Sequence, residues 1–86
     1  MRVVASLRFK RTYQKLPRSL QEQVDKKLLL LEENPGHPSL RVKKIVGAPD
    51  IWEASITMKY RITFQISEGV IILRVIGEHD KALRNP

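Results

Sequence analysis

Three polar residues in the C-terminal half of the chain have the side chains that phosphodiester chemistry needs. Glu53 lies in "IWEASI", Arg61 in "YRITFQI", and His79 in the closing stretch "GEHDKALRNP". A carboxylate, a guanidinium and an imidazole around one substrate can transfer protons and stabilise developing charge. On RNA, a base would deprotonate a 2′-hydroxyl that attacks the adjacent phosphorus, and an acid would protonate the leaving 5′-oxygen. Such a set requires no metal, and it distinguishes RNA from DNA by the hydroxyl.

The strands around these residues decide whether the three side chains meet. In "YRITFQI" every second residue is apolar, which predicts a strand with one buried face. The buried set is Tyr60, Ile62, Phe64 and Ile66, and the outward set is Arg61, Thr63 and Gln65. In "IWEASI" the buried set is Trp52, Ala54 and Ile56, with Glu53 and Ser55 outward. We call the outward side of this sheet the outer face.

The turns between the strands set the register. Trp52 and Phe64 share a face only if the first loop holds an odd number of residues, as 57–59 does. Ser55 then lies opposite Arg61, and Glu53 lies opposite Thr63. A two-residue type I′ loop, Glu68-Gly69, follows. This loop predicts that the buried side chains of the last strand are Ile71, Leu73 and Val75. It also places Arg74 opposite Thr63 and Gly77 opposite Tyr60. His79 therefore leaves the sheet at the end where Arg61 lies.

The N-terminal half has helical periodicity. "RVVA" predicts a short strand, and "SLRFKRTYQKL" predicts a helix capped by Ser6 and ending before Pro17. "PRSLQEQVDKKLLLLEENPG" predicts a second helix with a Ser19–Glu22 capping box. Its apolar stripe consists of Leu20, Val24, Leu28 and Leu31. The stripe could form a dimer seam, but packing on the chain's own sheet is favoured because so small a domain needs that burial. An α+β domain with a helical hairpin and an antiparallel meander is therefore predicted.

Composition limits the class of protein. The 86 residues suffice for one domain spanning 1–86, and the absence of cysteine with only two histidines predicts neither a metal site nor a cofactor. No signal peptide or membrane span is evident, so we expect a cytoplasmic protein. A net charge of +7 favours nucleic acid or an acidic protein as partner.

Each candidate residue also has a plainer interpretation. Glu53 and Arg61 fit an ordinary cross-strand ion pair. Lys43 and Lys44, on a predicted edge strand "RVKKIV", fit protection against edge-to-edge aggregation. His79 fits a solvated tail, and Arg74 fits a charged side chain that only keeps the sheet face soluble.

Several phrases taken together resemble a known family. "FKRTYQKLP", "LLEENPGHPSLRVKKIVG", "IWEASITMKYRITFQI" and "LRVIGEHDKAL" are similar to the RelE/ParE superfamily of toxins from toxin-antitoxin modules, over nearly the whole chain. The tryptophan-glutamate pair followed by Tyr60-Arg61 carries most of the likeness. The resemblance implies the RelE-like fold, in which two helices pack on a twisted antiparallel sheet.

The resemblance also implies an activity. RelE-like members are ribosome-dependent endoribonucleases that cut messenger RNA, which implies Glu53 as general base, Arg61 as phosphate stabiliser and His79 as general acid. Contacts to RNA or ribosome are implied for Lys43, Lys44, Ser55, Arg74 and Lys81. An acidic antitoxin is the implied inhibitor, and DNA is contacted only through the antitoxin complex. Many members have arginine where this chain has Ser55, which removes one positive charge from the expected site.

Two other functions stay open. ParE-like members poison DNA gyrase and do not cut RNA. A non-catalytic relative that only binds an antitoxin is the third alternative. Glu53, Arg61 and His79 on one face favour the nuclease, because a gyrase binder has no need of that set.

Overall fold

Two helices precede the main part of a five-stranded sheet, and a third helix follows it. The computed structural model describes residues 1–86. The strands are β1 (Arg2–Ala5), β2 (Lys43–Lys44), β3 (Trp52–Ser55), β4 (Tyr60–Ser67) and β5 (Val70–Glu78). The helices are α1 (Leu7–Gln14), α2 (Arg18–Glu33) and α3 (His79–Arg84), and a short 3-10 turn spans Pro38–Leu40. The α+β architecture predicted from the sequence is confirmed.

The sheet is antiparallel except at one edge. Its strand order is β1-β5-β4-β3-β2, and β1 pairs with β5 in parallel. The sequence predicted the strand in "RVVA" but placed it in no register. The meander β2 to β5 leaves an edge of β5 unpaired, and β1 fills it. The helical hairpin then crosses from β1 to the opposite edge, where β2 starts.

The ends of the first two helices follow local chemistry. Ser6 Oγ accepts a hydrogen bond from the Phe9 amide at 3.1 Å, so the predicted cap of α1 is confirmed. The predicted Ser19–Glu22 capping box is wrong. The cap of α2 is Pro17, which makes no side-chain cap bond, and Ser19 lies inside the first turn. Proline has no amide to satisfy and a fixed φ, so it begins the helix without a capping side chain.

The apolar stripe of α2 packs on the sheet, as favoured above. Leu20, Val24 and Leu31 are buried, and Leu28 packs against them. Phe9 of α1 joins the same cluster. From the sheet and the 3-10 turn come Leu40, Ala54, Ile56, Ile62, Phe64, Ile71, Leu73 and Ile76. Burial of this apolar surface is the main favourable contribution to folding. No helix is long and apolar enough to cross a membrane.

The β3–β4 hairpin has the predicted register. Glu53 lies opposite Thr63, Ser55 opposite Arg61, and Trp52 opposite Phe64. Trp52 is half-buried and packs against the core. Ile66, predicted to be buried, is 42% exposed, although Ile71 opposite it is fully buried.

The β4–β5 hairpin begins as predicted and then departs from it. Ser67 lies opposite Val70 across the Glu68-Gly69 loop, where both residues have positive φ, as a type I′ turn requires. A β-bulge between Thr63 and Phe64 then shifts the register by one residue. Thr63 therefore lies opposite Val75 and not Arg74.

The bulge changes which side chains are in the core. Arg61 lies opposite Gly77, whereas Tyr60 had been predicted there. Val75, predicted to be in the core, shares the outer face with Thr63, and Ile76 takes the core position with 2% exposure. Without the bulge the alternation would turn Ile76 outward. The bulge thus buries a large apolar side chain at the cost of one ladder position.

The closing stretch is a helix packed on the outer face. Ala82 of α3 is fully buried, as is Thr63 beneath it, and Glu53 is 4% exposed. The Pro86 main-chain oxygen accepts hydrogen bonds from Thr63 Oγ1 at 3.4 Å and from Arg74 Nε at 2.8 Å. The outer face is therefore covered along its middle and open at its ends.

Candidate active site

Arg61 and His79 line one open cleft at the end of the sheet. The cleft has a volume of about 500 Å³, and its other lining residues are Met58, Lys59, Glu78 and Asp80. The His79 amide donates to the Lys59 carbonyl at 2.8 Å, which holds the start of α3 against the β3–β4 turn. The fold therefore places an imidazole and a guanidinium on the same surface, although 18 positions separate them in the sequence.

The Arg61 guanidinium is fixed by the turn next to it. Its Nη1 atom donates to the carbonyls of Thr57, Met58 and Tyr60, the last two at 3.1 Å. Its Nε atom lies 3.9 Å from Glu53 Oε1. The Nη2 atom makes no hydrogen bond within the chain and is the nitrogen left for a ligand.

The Glu53 carboxylate lies beneath α3. Its strand neighbours are Lys43 on β2 and Thr63 on β4. It lines a second depression, of about 320 Å³, with Lys43, Lys44, Ile45, Val46 and Leu83. Glu53 thus lies between this depression and the cleft, because it contacts Arg61, which lines the cleft. The contact of α3 with the sheet limits its access to any ligand.

His79 is the most accessible of the three candidate catalytic residues. Its side chain is 45% exposed, and Nδ1 lies 3.3 Å from Asp80 Oδ1. A carboxylate accepts only, so this contact keeps a proton on Nδ1 and leaves Nε2 for proton exchange. The neighbouring aspartate therefore orients the ring for donation through Nε2 when the imidazole is charged.

The other predicted contact residues do not line this cleft. Ser55 Oγ donates to the Thr57 carbonyl at 3.2 Å, within the turn that holds Arg61. Lys43 and Lys44 are exposed and lie on opposite faces of β2. Lys44 Nζ lies 5.4 Å from the Trp52 ring centroid, in a cation–π contact.

Arg74 and Lys81 lie away from the cleft. Arg74 Nε donates to the Pro86 main-chain oxygen, and Nη1 donates to Gln65 Oε1 at 2.7 Å. Lys81 lines a groove of about 330 Å³ between α1 and α3, together with Arg8 and Thr12. Neither cation lines the cleft.

Four residues that line the cleft were not predicted as site residues: Met58, Lys59, Glu78 and Asp80. Met58 and Lys59 belong to the predicted loop 57–59, which precedes the strand of Arg61. Their closeness to Arg61 therefore followed from the sequence. Their closeness to His79 depends on the path of α3. Lys59 brings a further cation to the cleft, and Met58 is 94% exposed at its rim.

Comparison with known proteins gives a consistent assignment. The family model of the ParE toxin of the type II toxin-antitoxin system parDE matches residues 3–81. No curated protein sequence matches the chain.

Solved structures with the same fold include several toxins. A YoeB/ParE toxin from Agrobacterium tumefaciens superposes with a TM-score of 0.78 at 16% identity, covering 92% of this chain and 99% of that one. RelE in the RelE-RelB complex of Pyrococcus horikoshii gives 0.76 at 21% identity, covering 94% and 97%. The isolated E. coli RelE toxin gives 0.71 at 24% identity, covering 90% and 82%. At these identities the likeness establishes the fold.

Proposed function

This chain belongs to the ParE toxin family of type II toxin-antitoxin systems, and we propose, from the geometry of its cleft and not from the family name, that it is a toxin that cleaves messenger RNA on the ribosome. Family membership confirms the resemblance drawn from the sequence. The observation that carries the proposed activity is the shared cleft of Arg61 and His79, with Glu53 in contact with Arg61. Ribosomes and messenger RNA are found in the cytoplasm, which is where such a toxin acts.

The proposed reaction assigns one step to each residue. Glu53, which is 4% exposed in the structure, must become accessible to substrate in order to accept the proton of a 2′-hydroxyl, whose oxygen attacks the adjacent phosphorus. Arg61 Nη2 donates to a phosphate oxygen as charge develops in the transition state. The bond to the 5′-oxygen breaks, and protonated His79 donates through Nε2 to that leaving oxygen. The products are a 2′,3′-cyclic phosphate and a 5′-hydroxyl, and the chain's own side chains account for both protons.

We also propose an acidic antitoxin as the partner that holds the toxin inactive. The chain has a net charge of +7, which attracts an acidic segment. Related structures include RelE-RelB complexes from Pyrococcus horikoshii and Methanococcus jannaschii. Both the RNA and the antitoxin would then compete for the same positive surface.

Gyrase poisoning is a second candidate function, and the contacts of Glu53 and Arg61 favour it. Glu53 is 4% exposed under α3, and Arg61 Nη1 is held by three main-chain carbonyls. Ser55 stands where many RelE-like members have arginine. A protein that only binds gyrase is free to use Glu53 and Arg61 as a structural ion pair.

Primer extension after brief induction in a bacterial host tests the two functions. The strains would express wild type, His79→Gln, or His37→Gln as the matched control, since His37 is a half-buried histidine that caps the 3-10 turn and does not line the cleft. Discrete cuts within translated regions, lost only in His79→Gln, are the expected result. Intact message with growth arrest and DNA damage would support gyrase poisoning instead. Cuts that persist in His79→Gln would refute its proposed role.

A further inference from the structure

Two arginines outside the cleft line one small depression near the other end of the sheet. Arg8 of α1 and Arg74 of β5 form it with Ser6 and Ile72, around a volume of about 170 Å³. No acidic side chain lines it. Ser6 Oγ donates to the Arg74 carbonyl at 3.1 Å, which ties the start of α1 to β5. The two guanidinium groups are therefore brought together by two different elements.

Contacts within the chain leave part of each guanidinium free. Arg74 uses Nε for the Pro86 main-chain oxygen and Nη1 for Gln65, so Nη2 has no partner. Arg8 uses only Nη2, which donates to the Asn85 carbonyl at 3.2 Å. Neither arginine forms a salt bridge with an acidic side chain. Each thus already binds an oxygen atom of the chain's last residues and keeps at least one further nitrogen for another acceptor.

We propose that Arg8 and Arg74 form a phosphate-binding subsite for the RNA strand, and this inference rests on the proposed function. Guanidinium groups present planar pairs of donors that match phosphate oxygens. Two such groups from separate elements can hold one phosphate from two sides. The fixed position of Arg74, held by Gln65 and Pro86, lowers the entropy that its side chain loses on binding.

The subsite lies at a distance from the cleft that a strand of nucleotides can span. Gln65, which binds Arg74, and Arg61 lie on the same face of β4 and are four residues apart. At the rise of a β-strand this separation is about 13 Å. The subsite would therefore hold the RNA backbone several nucleotides from the scissile bond and add affinity without contacting the reacting atoms.

Binding of a short single-stranded RNA with 2′-O-methyl groups, which cannot be cleaved, tests the subsite. The full chain would be compared as wild type, Arg8→Gln and Arg11→Gln. Arg11 is the matched control because it is also exposed on α1 and loses the same charge, but does not line the depression. Each phosphate contact to a single strand contributes about 0.7 to the slope of log affinity against log salt.

The expected result separates the two variants. Arg8→Gln should lower the slope by about 0.7, which extrapolates to an affinity loss of about eightfold at about 50 mM salt. Arg11→Gln should change the slope much less. Equal effects of the two variants would overturn the subsite. A polyglutamate peptide is the second probe. If it binds as tightly as the RNA and loses the same affinity in Arg8→Gln, the proposal is also overturned, because the site would then not be specific for phosphate.

Cleavage is measured separately on unmodified messenger RNA, so the two proposals can fail independently. A wild-type chain that binds RNA through Arg8 but makes no cuts would refute the nuclease and keep the subsite. Cuts by the wild type, with RNA affinity independent of Arg8, would refute the subsite and keep the nuclease.

Discussion

Arg61 Nε lies 3.9 Å from Glu53 Oε1, and the two side chains are 15% and 5% exposed. The pair is diagonal across β3 and β4, since Glu53 lies opposite Thr63 and Arg61 opposite Ser55. The plainer interpretation of these residues, a cross-strand ion pair, is therefore what the structure contains. The two residues proposed for catalysis also contribute to the hairpin, so activity measurements on their variants need a stability measurement beside them.

Arg61→Ala should lower the free energy of unfolding by about 2 to 4 kcal/mol. It removes the donor of three turn carbonyls and leaves Glu53 buried without its cation. Urea denaturation of wild type, Arg61→Ala, Glu53→Gln and the double variant measures the coupling. A double variant as destabilised as the sum of the single ones would show that the pair contributes nothing.

His79→Gln should slow single-turnover cleavage at least a hundredfold and leave RNA affinity within about twofold, because a general acid typically contributes that much to rate. Glutamine keeps a polar side chain at this 45% exposed position but cannot donate the proton. Rate and affinity are measured on purified protein with programmed ribosomes. An equal loss of both would point to a binding role.

Trp52→Ala should destabilise the domain by about 2 to 3 kcal/mol, below the range for a fully buried tryptophan because Trp52 is only half-buried. The Lys44 cation–π contact is lost as well. Thermal unfolding gives the comparison, with Met58→Ala as control, since Met58 is 94% exposed. Equal melting temperatures for both variants would contradict packing of the indole against the core.

Ala82→Leu should loosen α3 from the sheet, because Ala82 is fully buried and the added atoms have no space. A cost of about 1 to 3 kcal/mol is expected. Arg84→Leu, on an exposed position of the same helix, is the control. Hydrogen exchange of the α3 amides reports the loosening, and unchanged protection in Ala82→Leu would show that the helix is not held by this contact.

Tyr13→Phe should change the pH dependence of stability only in alkali. The hydrogen bond from the Tyr13 hydroxyl to Asp25, at 2.7 Å, raises the pKa of Tyr13 above its ordinary value of 10.0, with burial and the Asp25 charge adding to it. The stabilisation is complete below the unfolded pKa and is lost as pH rises through the folded one. The difference between wild type and variant should therefore be constant below about pH 9 and shrink above pH 10. A constant difference through pH 11 would contradict this linkage.

The sequence by itself determined the elements and one register. Alternation in "YRITFQI" and "IWEASI", together with a loop of odd length, left only one pairing that buries both Trp52 and Phe64 on one side. The Ser6 cap and the apolar stripe of α2 followed from rules that act within a few residues. Each of these depends on local spacing, which a sequence displays directly.

Only the tertiary structure decided the bulge and the position of α3. The bulge serves the burial of Ile76 against the helices, a contact between residues distant in sequence. The stretch from His79 onward has too few apolar residues to predict a helix, and it is held by the Lys59 carbonyl, Thr63 and Arg74. Burial of Glu53 follows from that docking. Contacts among distant residues depend on the completed packing, and no local pattern encodes them.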